Sequence, residues 1–389
     1  MKGKDLLDMS NRLFSKKAQV DNLNQEIAEY FFPERATFTS EIPVGELFGD
    51  HLTDFYPVLV RRELADQLGA LTRPHGTSWF SASVNDVKAQ DDRAAKEFLQ
   101  FMTDVNRNVL YSRKSNYRRA AKGVENDYSA FGMGHMHVAY SKDRSRLMFK
   151  TYHPKDCAID EGEDGRVNNH HRKIKMSPRA MAHEFGEESL PRAVREMLSS
   201  PKDADKDTFE VRHIIVPKDR YQSDRKMPKG AEYSDVYVFQ DGEILKEEFE
   251  RSFDMVVPRW QTVSGHCYAF SPATIVALPQ ARMLQRMMLT LIEGAERRVD
   301  PPLIAQDDIM GGPISLESGT VNYVQSGYDE RTGVALRALD LGKDVGLGEQ
   351  LVADSRSLLA DAFFINKLTP LANRDKQVTG ICAFSAAVV

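Results

Sequence analysis

The hydrophobic period of this chain changes twice, and no single layer of structure accommodates both periods. Toward the N-terminus, Leu6, Met9, Leu13, Val20, Leu23, Ile27 and Phe31 recur every three or four positions, with lysine, asparagine and glutamine among them. From His135 the repeat drops to two, and HMHVAY, RLMFKTY and FEVRHIIVP read as strands. Near Ser271 the longer period returns and holds through two further long segments. Helices therefore flank a β-rich middle, and the fold class is α+β.

Punctuation sets the element ends. Pro33 stops the first helix, because proline lacks a donor and restricts the residue before it. DFYPVLVRRELADQLGALTRP predicts a second helix with Asp54 as its cap, Pro57 in the first turn and Pro74 at its close. TSWFSASV (Thr77–Val84) alternates weakly and predicts a short strand. Two more helices fill Gln90 to Phe131, broken at RKSNY, with Ser115 as the N-cap of the second. CAIDEGEDGRV reads as a strand entering an acidic glycine turn, and Pro191–Leu198 as a short helix. SDVYVFQDGEILKEEFE is a hairpin turning at Asp241–Gly242.

The longest regular pattern is SPATIVALPQARMLQRMMLTLIEGAERRVDPP. Ser271 caps it, Pro272 takes the first helical position, and Pro279 is expected to kink or restart it. Leu284, Met287, Met288, Leu291, Ile292 and Ala295 share one face; Arg282, Arg286, Glu293 and Arg297 share the opposite one. At about 1.5 Å per residue such a helix spans on the order of 40 Å. A last long helix is expected over Leu347–Ile365, carrying Leu351, Leu358, Leu359, Ala362 and Phe363. Between the two lies a glycine-rich strand region, Leu303–Leu341.

Charge and motifs narrow the function. The net charge is −5 and the pI near 6.1, without the basic surplus that neutralises phosphates in a DNA-gripping protein. Cys157, Cys267 and Cys382 are far apart, unlike a disulfide framework or a cysteine zinc site, and suit a reducing compartment. MKGKDLLDMSNRLF lacks the apolar core expected of a cleavable signal, and no window reaches the roughly 18 apolar residues of a membrane span. His135 and His137 sit on one face of a strand and could bind zinc, but spacing offers no third ligand, so a core or solvated strand is preferred. NHHRK, with His170 and His171, reads as a surface loop. HEFGE has Glu187 where a zincin needs histidine, and DEGEDG has Gly162 where a calcium loop needs an oxygen ligand. RRAAK (Arg118–Lys122) and the pair Arg61–Arg62 read as solvated helix faces. No phosphate-cradling or nucleophile-elbow motif occurs. The expectation is a non-enzyme with no catalytic, cofactor-binding or metal residues.

Seven stretches, in order, carry a resemblance. They are YFFPER (30–35), LTRPHGTSWF (71–80), SNY leading to DYSAFGMGHMHV (115–138), VPRW (257–260), SGHCYAFSP (264–272), DPPL (300–303) and LLADAFF (358–364). Together they resemble the portal, or head-to-tail connector, proteins of short-tailed, podovirus-like bacteriophages. Family members tend to carry a glycine and a basic residue before the Ser-Pro, where this chain has Ala269 and Phe270.

The resemblance implies a structural ring at one capsid vertex, of twelve subunits in full-length members. DNA passes through it during packaging and ejection without tight binding, and terminase and tail or adaptor proteins attach to it. Capsid and scaffold proteins are further expected partners; no membrane is. The expected location is the virion, with the host cytoplasm during assembly, including assembly from a prophage. On this mapping residues 1–270 are the wing, 271–300 the first stem helix, 301–342 a small α/β clip, and 343–366 the second stem helix. Arg282, Arg286, Glu293 and Arg297 would line the channel, and Leu284, Met287, Met288 and Leu291 would pack the stem. Twelve copies at −5 sum to about −60, which suits sliding rather than gripping DNA. The competing reading is a DNA-packaging nuclease, which needs a carboxylate cluster, or a DNA-binding adaptor, which needs basic charge.

In the family the second stem helix leads to a tunnel loop and a long crown helix. Here the likeness runs through NRDKQVT and gives way to the uncharged run Ile381–Val389. The expectation is that residues 367–389 hold the start of the tunnel loop and an atypical apolar tail, with the crown missing.

Overall fold

The computed structural model describes residues 3–43, 45–74, 78–84, 92–141, 143–200, 203–206, 209–299, 303–305, 336–338 and 345–372. They form two compact units. The smaller comprises His51–Asp54 and Pro279–Leu358; the larger takes the chain up to Asp50, Phe55–Leu278, and the chain from Leu359 on.

The larger unit starts with α1 (Gly3–Phe31), α2 (Tyr56–Thr72), α3 (Arg93–Tyr111) and α4 (Tyr117–Phe131). An antiparallel pair follows, β1 (His135–Tyr140) with β2 (Leu147–Tyr152). Next come β3 (Cys157–Glu161), β4 (Val167–Met176), the short helices α5 (Pro178–Phe185) and α6 (Arg192–Leu198), then β5 (Phe209–Pro217), β6 (Tyr233–Phe239), β7 (Ile244–Glu250) and β8 (Met255–Val256). Strands β3 to β7 make one antiparallel sheet in chain order, so β3 and β7 are its edges; β2, β1 and β8 make a second, three-stranded sheet.

The period-two alternation of β5 and β6 gives the larger sheet two covered faces. On one, Ile214, Val216, Val236 and Val238 pack against Leu6 of α1. On the other, Phe209, Val211 and Phe239 pack against Met181 of α5 and Val194 of α6. The β6–β7 hairpin turns at Gly242, whose φ of 95° is open to glycine without strain.

Four local expectations need correction. The run from Ser78 to Val84 joins no ladder; it lies along α3, with the Trp79 indole donating to the Tyr111 hydroxyl and the Ala82 amide to Thr103 Oγ1. The N-cap of α2 is Phe55, because Asp54 is claimed by a distant arginine. The N-cap of α4 is Asn116, in the left-handed region at φ 62°; the Ser115 hydroxyl turns back to donate to the carbonyls of Leu110 and Ser112. NHHRK is no surface loop: it lies within β4, with His170 and His171 fully buried.

The smaller unit contains most of α7 (Leu278–Val299) and α8 (Val345–Ala362), and β9 (Leu303–Ala305) paired antiparallel with β10 (Leu336–Ala338). A π-helical turn, Ala273–Ala277, precedes α7, with the Leu278 amide donating to the Ala273 carbonyl. The wider turn accommodates Pro279, whose ring would clash with the carbonyl of Ile275 in a regular helix. The expected second helix ends earlier than Ile365: Phe364 adopts φ 58°, and α9 (Ile365–Ala372) begins after it. Of the glycine-rich region, only the β9–β10 pair falls within the described residues, and the apolar run Ile381–Val389 lies outside them.

Candidate functional site: the roots of the long helices

Five of the seven stretches that carry the resemblance converge within the larger unit. The Phe31 ring lies 5.4 Å from that of Phe363, and Phe32 stacks 6.3 Å from Phe131. Phe38 meets Phe131 edge-on at 4.9 Å. Trp260 lies 5.2 Å from Tyr128 and 6.0 Å from Phe364. Its backbone amide donates to the Gly132 carbonyl at 2.7 Å. The Ser271 hydroxyl donates to the Ala130 carbonyl at 2.7 Å while accepting from the Thr274 amide, so the residue that opens the long helical run is tied to the end of α4. YFFPER, DYSAFG, VPRW, FSP and DAFF thus form one aromatic knot, from which the chain enters α7 and to which it returns after α8.

Charged groups lock the knot. Asp127 is fully buried and accepts from Arg35 at 3.1 Å; burial pushes its carboxyl up to about 7, against the pull of Arg35 and Arg61. Arg61 is buried rather than solvated as its sequence context implied. Its Nε donates to the Phe31 carbonyl, its Nη1 to Asn126 Oδ1, and its guanidinium lies 4.0 Å over the Phe32 ring. Burial lowers its pKa to about 10, so it remains a cation at neutral pH. Arg62, Arg118 and Arg119 are exposed, as read. Arg259, in VPRW, ties the acidic turn to the next loop by reaching Glu161 and the carbonyls of Gly165 and Cys267.

Within the smaller unit, the charged face of α7 is exposed as its sequence shows, but the apolar face is covered only in part, since Ile292 and Ala295 are exposed. Arg282, Arg286, Glu293 and Arg297 are exposed, with Arg297 3.9 Å from Glu293. Leu284 is fully buried, and Met287, Met288 and Leu291 are half-buried. Leu291 fits over Gly348 of α8, where any Cβ would collide with it. The segment His51–Asp54 clips the two helices. Gln285 Oε1 accepts from the Thr53 and Asp54 amides, Gln285 Nε2 donates to the Asp54 carbonyl, and Asp54 Oδ2 accepts from Arg356 Nε and Nη2 at 3.1 and 2.9 Å. Sequence reasoning had no route to Gln285 or Arg356, since their partners are more than two hundred residues away. Both helices also keep apolar side chains in solvent: Leu289 and Ile292 on α7, Leu351 and Leu358 on α8.

What this geometry can do is mechanical. The larger unit gathers its aromatic stretches into a knot, and the smaller unit holds a helical pair with one wet charged face and apolar flanks. The chain belongs to the bacteriophage head to tail connecting protein family, whose model matches residues 4–381. It is similar to the probable portal protein of Bordetella phage BPP-1, 25% identical over 355 residues. It is also similar to the portal protein of Salmonella phage epsilon15, 22% identical over 379 residues. Those matches cover 90% and 95% of this chain but 62% and 66% of the two relatives, so the chain spans about two thirds of their length or less.

Proposed function

We propose that this chain is the wing, stem and clip of a portal: a structural, non-enzymatic ring at a phage capsid vertex. DNA is packaged and ejected through it, and terminase and tail proteins dock on it. The observation that carries the reading is the family match across nearly the whole chain. In this reading residues 1–270 are the wing, α7 and α8 the stem, and the β9–β10 pair part of the clip. Arg282, Arg286, Glu293 and Arg297 face the lumen. The exposed Leu289, Ile292, Leu351 and Leu358 supply apolar area that neighbouring copies cover, worth about 25 cal/mol per Å² removed from water.

The test is oligomeric state by native mass spectrometry and electron microscopy. Leu291 packs on Gly348 of its own chain, so Leu291→Asp would damage the monomer as well as assembly. Leu351→Asp with Leu358→Asp is the cleaner perturbation, because both side chains are at least half exposed in the single chain. Rings from the wild type, lost in the double variant and kept in Glu293→Gln, are expected. A wild type that stays monomeric, or rings indifferent to the double substitution, would overturn the reading.

A further inference from the structure

Between the two sheets of the larger unit lies a layer built of imidazoles where aliphatic side chains would be usual. His135 and His137 point from β1 toward the larger sheet. There the His170 ring lies 5.3 Å from His135, and the His213 ring 5.7 Å from His137. The ladder register puts Cys157, Ile159, His170 and Arg172 on that same face, because Cys157 pairs with Arg172 and Ile159 with His170. Most members of the layer are accounted for. His137 Nδ1 is 3.1 Å from the Tyr152 hydroxyl, His213 stacks on Tyr237 with Nε2 2.7 Å from Asp235, and Arg172 lies 3.5 Å over the Tyr152 ring.

Three residues are not. His135 and His170 are fully buried, and none of their four ring nitrogens has a hydrogen-bond partner among the described residues. An unsatisfied buried donor or acceptor costs about 1–3 kcal/mol; His213 also lacks hydrogen-bond partners, but it has the Asp235 carboxylate as an ionic neighbour, and His135 and His170 have none among the described residues. Cys157, fully buried beside them, offers the third atom. One ring nitrogen of each histidine and the Cys157 Sγ all lie within 4.8 Å of one another. Two nitrogens and a sulfur on a tetrahedral zinc would be separated by about 3.3–3.6 Å, so side-chain rotations closing each gap by roughly 1 Å bring three of the four ligands into place.

We propose that His135, Cys157 and His170 form a structural site for zinc or a similar borderline-soft cation, stapling the three-stranded sheet to the five-stranded one. The donor set of two imidazoles and a thiolate, with no carboxylate, selects such an ion over magnesium or calcium. Burial holds both imidazoles in the neutral form that ligates, with His135 lowered to about 3. Without an ion the same burial holds the Cys157 thiol protonated, so loading releases its proton and forms a metal–sulfur bond. The cations near the site have partners of their own. The Lys17 ammonium is directed to the Pro154 and Lys155 carbonyls at 2.5 and 3.1 Å and paired with Asp21 at 2.8 Å; Arg172 lies on the Tyr152 ring. All three ligands are inaccessible to solvent, so the ion enters as the chain folds.

The test refolds the full chain with zinc, removes loose metal by gel filtration, and measures zinc by mass spectrometry. Cobalt, refolded in its place, reports sulfur ligation through a thiolate-to-metal charge-transfer band. One retained zinc per chain and the cobalt band are expected, both lost in Cys157→Ala and kept in Cys267→Ala. A chelator present during refolding should lower the melting temperature of the wild type and leave that of Cys157→Ala unchanged. Absence of stoichiometric zinc in the folded wild type overturns the proposal, as does zinc retained undiminished by Cys157→Ala. Because Cys157→Ala replaces a small buried side chain, its folding is checked by circular dichroism; should it not fold, the cobalt spectrum of the wild type alone decides.

Discussion

Gly132 and Gly165 are a matched pair for testing the knot. Both hold positive φ, 77° and 71°, so alanine at either pays the same left-handed strain of about 1–2 kcal/mol. Alanine also stiffens the unfolded chain equally in both, returning about 0.4–1 kcal/mol. What differs is space. A Cβ on Gly132 would lie 2.6 Å from the Phe270 carbonyl carbon and 2.7 Å from the Ser271 nitrogen, both backbone atoms that no rotamer change can move. A Cβ on Gly165 meets nothing within 4 Å. Gly165→Ala should therefore cost about 1 kcal/mol. Gly132→Ala carries in addition an overpacking cost of about 1–3 kcal/mol, and displaces the segment that opens the long helical run. Urea unfolding followed by Trp260 fluorescence, in a Trp79→Phe background, reads the difference, since the Trp260 amide bonds to the Gly132 carbonyl. Equal midpoints for the two variants would refute the claim that the chain after Phe270 is seated directly on Gly132.

Other expectations follow from the same contacts. His153, whose Nδ1 accepts from the Lys155 amide and whose Nε2 lies 3.1 Å from Thr37 Oγ1, is held down to about 3 by burial and by Arg35, Lys155 and Lys17. A depressed histidine contributes stability that is full above its unfolded value near 6.5 and is lost as pH falls toward 3; the loss is about 5 kcal/mol at most. His153→Gln should flatten that part of the stability–pH curve, measured by urea midpoints between neutral and acid pH. Asp54→Ala should cost about 0.5–1.5 kcal/mol by removing its hydrogen bonds to the partly exposed Arg356, and should speed hydrogen exchange in α8 before it does so in α4. Leu284→Ala, at a fully buried position, should cost about 2.7–5 kcal/mol in denaturant titration, against less than about 0.5 for Leu289→Ala on the exposed face.

The sequence was most legible where a rule acts within one element. The exposed charged face of α7 follows from spacing alone, and Asp241–Gly242 places the β6–β7 hairpin within a residue. It was least legible where a distant partner overrides a local preference. Asp54 has the chemistry of a helix cap, but Arg356 claims its carboxylate. Arg61 belongs to a charged pair that reads as solvated, yet half of that pair is buried on Phe32. Strand β4 was missed because VNNHHRKIKM is polar by composition while both its faces are covered, a combination that periodicity cannot register. The order of the seven motifs could be read along the chain; that five of them meet in one knot is a property of the fold alone.

The outer strand β7 has a bearing on solubility. An edge strand presents unpaired backbone groups, and a chain proposed to gather beside copies of itself would bring such edges together at high local concentration. The sequence ILKEEFE places Lys246, Glu247, Glu248 and Glu250 along that edge, so two such strands brought together would confront acidic rows. Repulsion between the edges disfavours a continuous intermolecular sheet, which would otherwise compete with any closed assembly for the same subunits. Replacing Glu248 and Glu250 with threonine, while keeping Glu247 to accept from the Tyr221 hydroxyl, would weaken that repulsion.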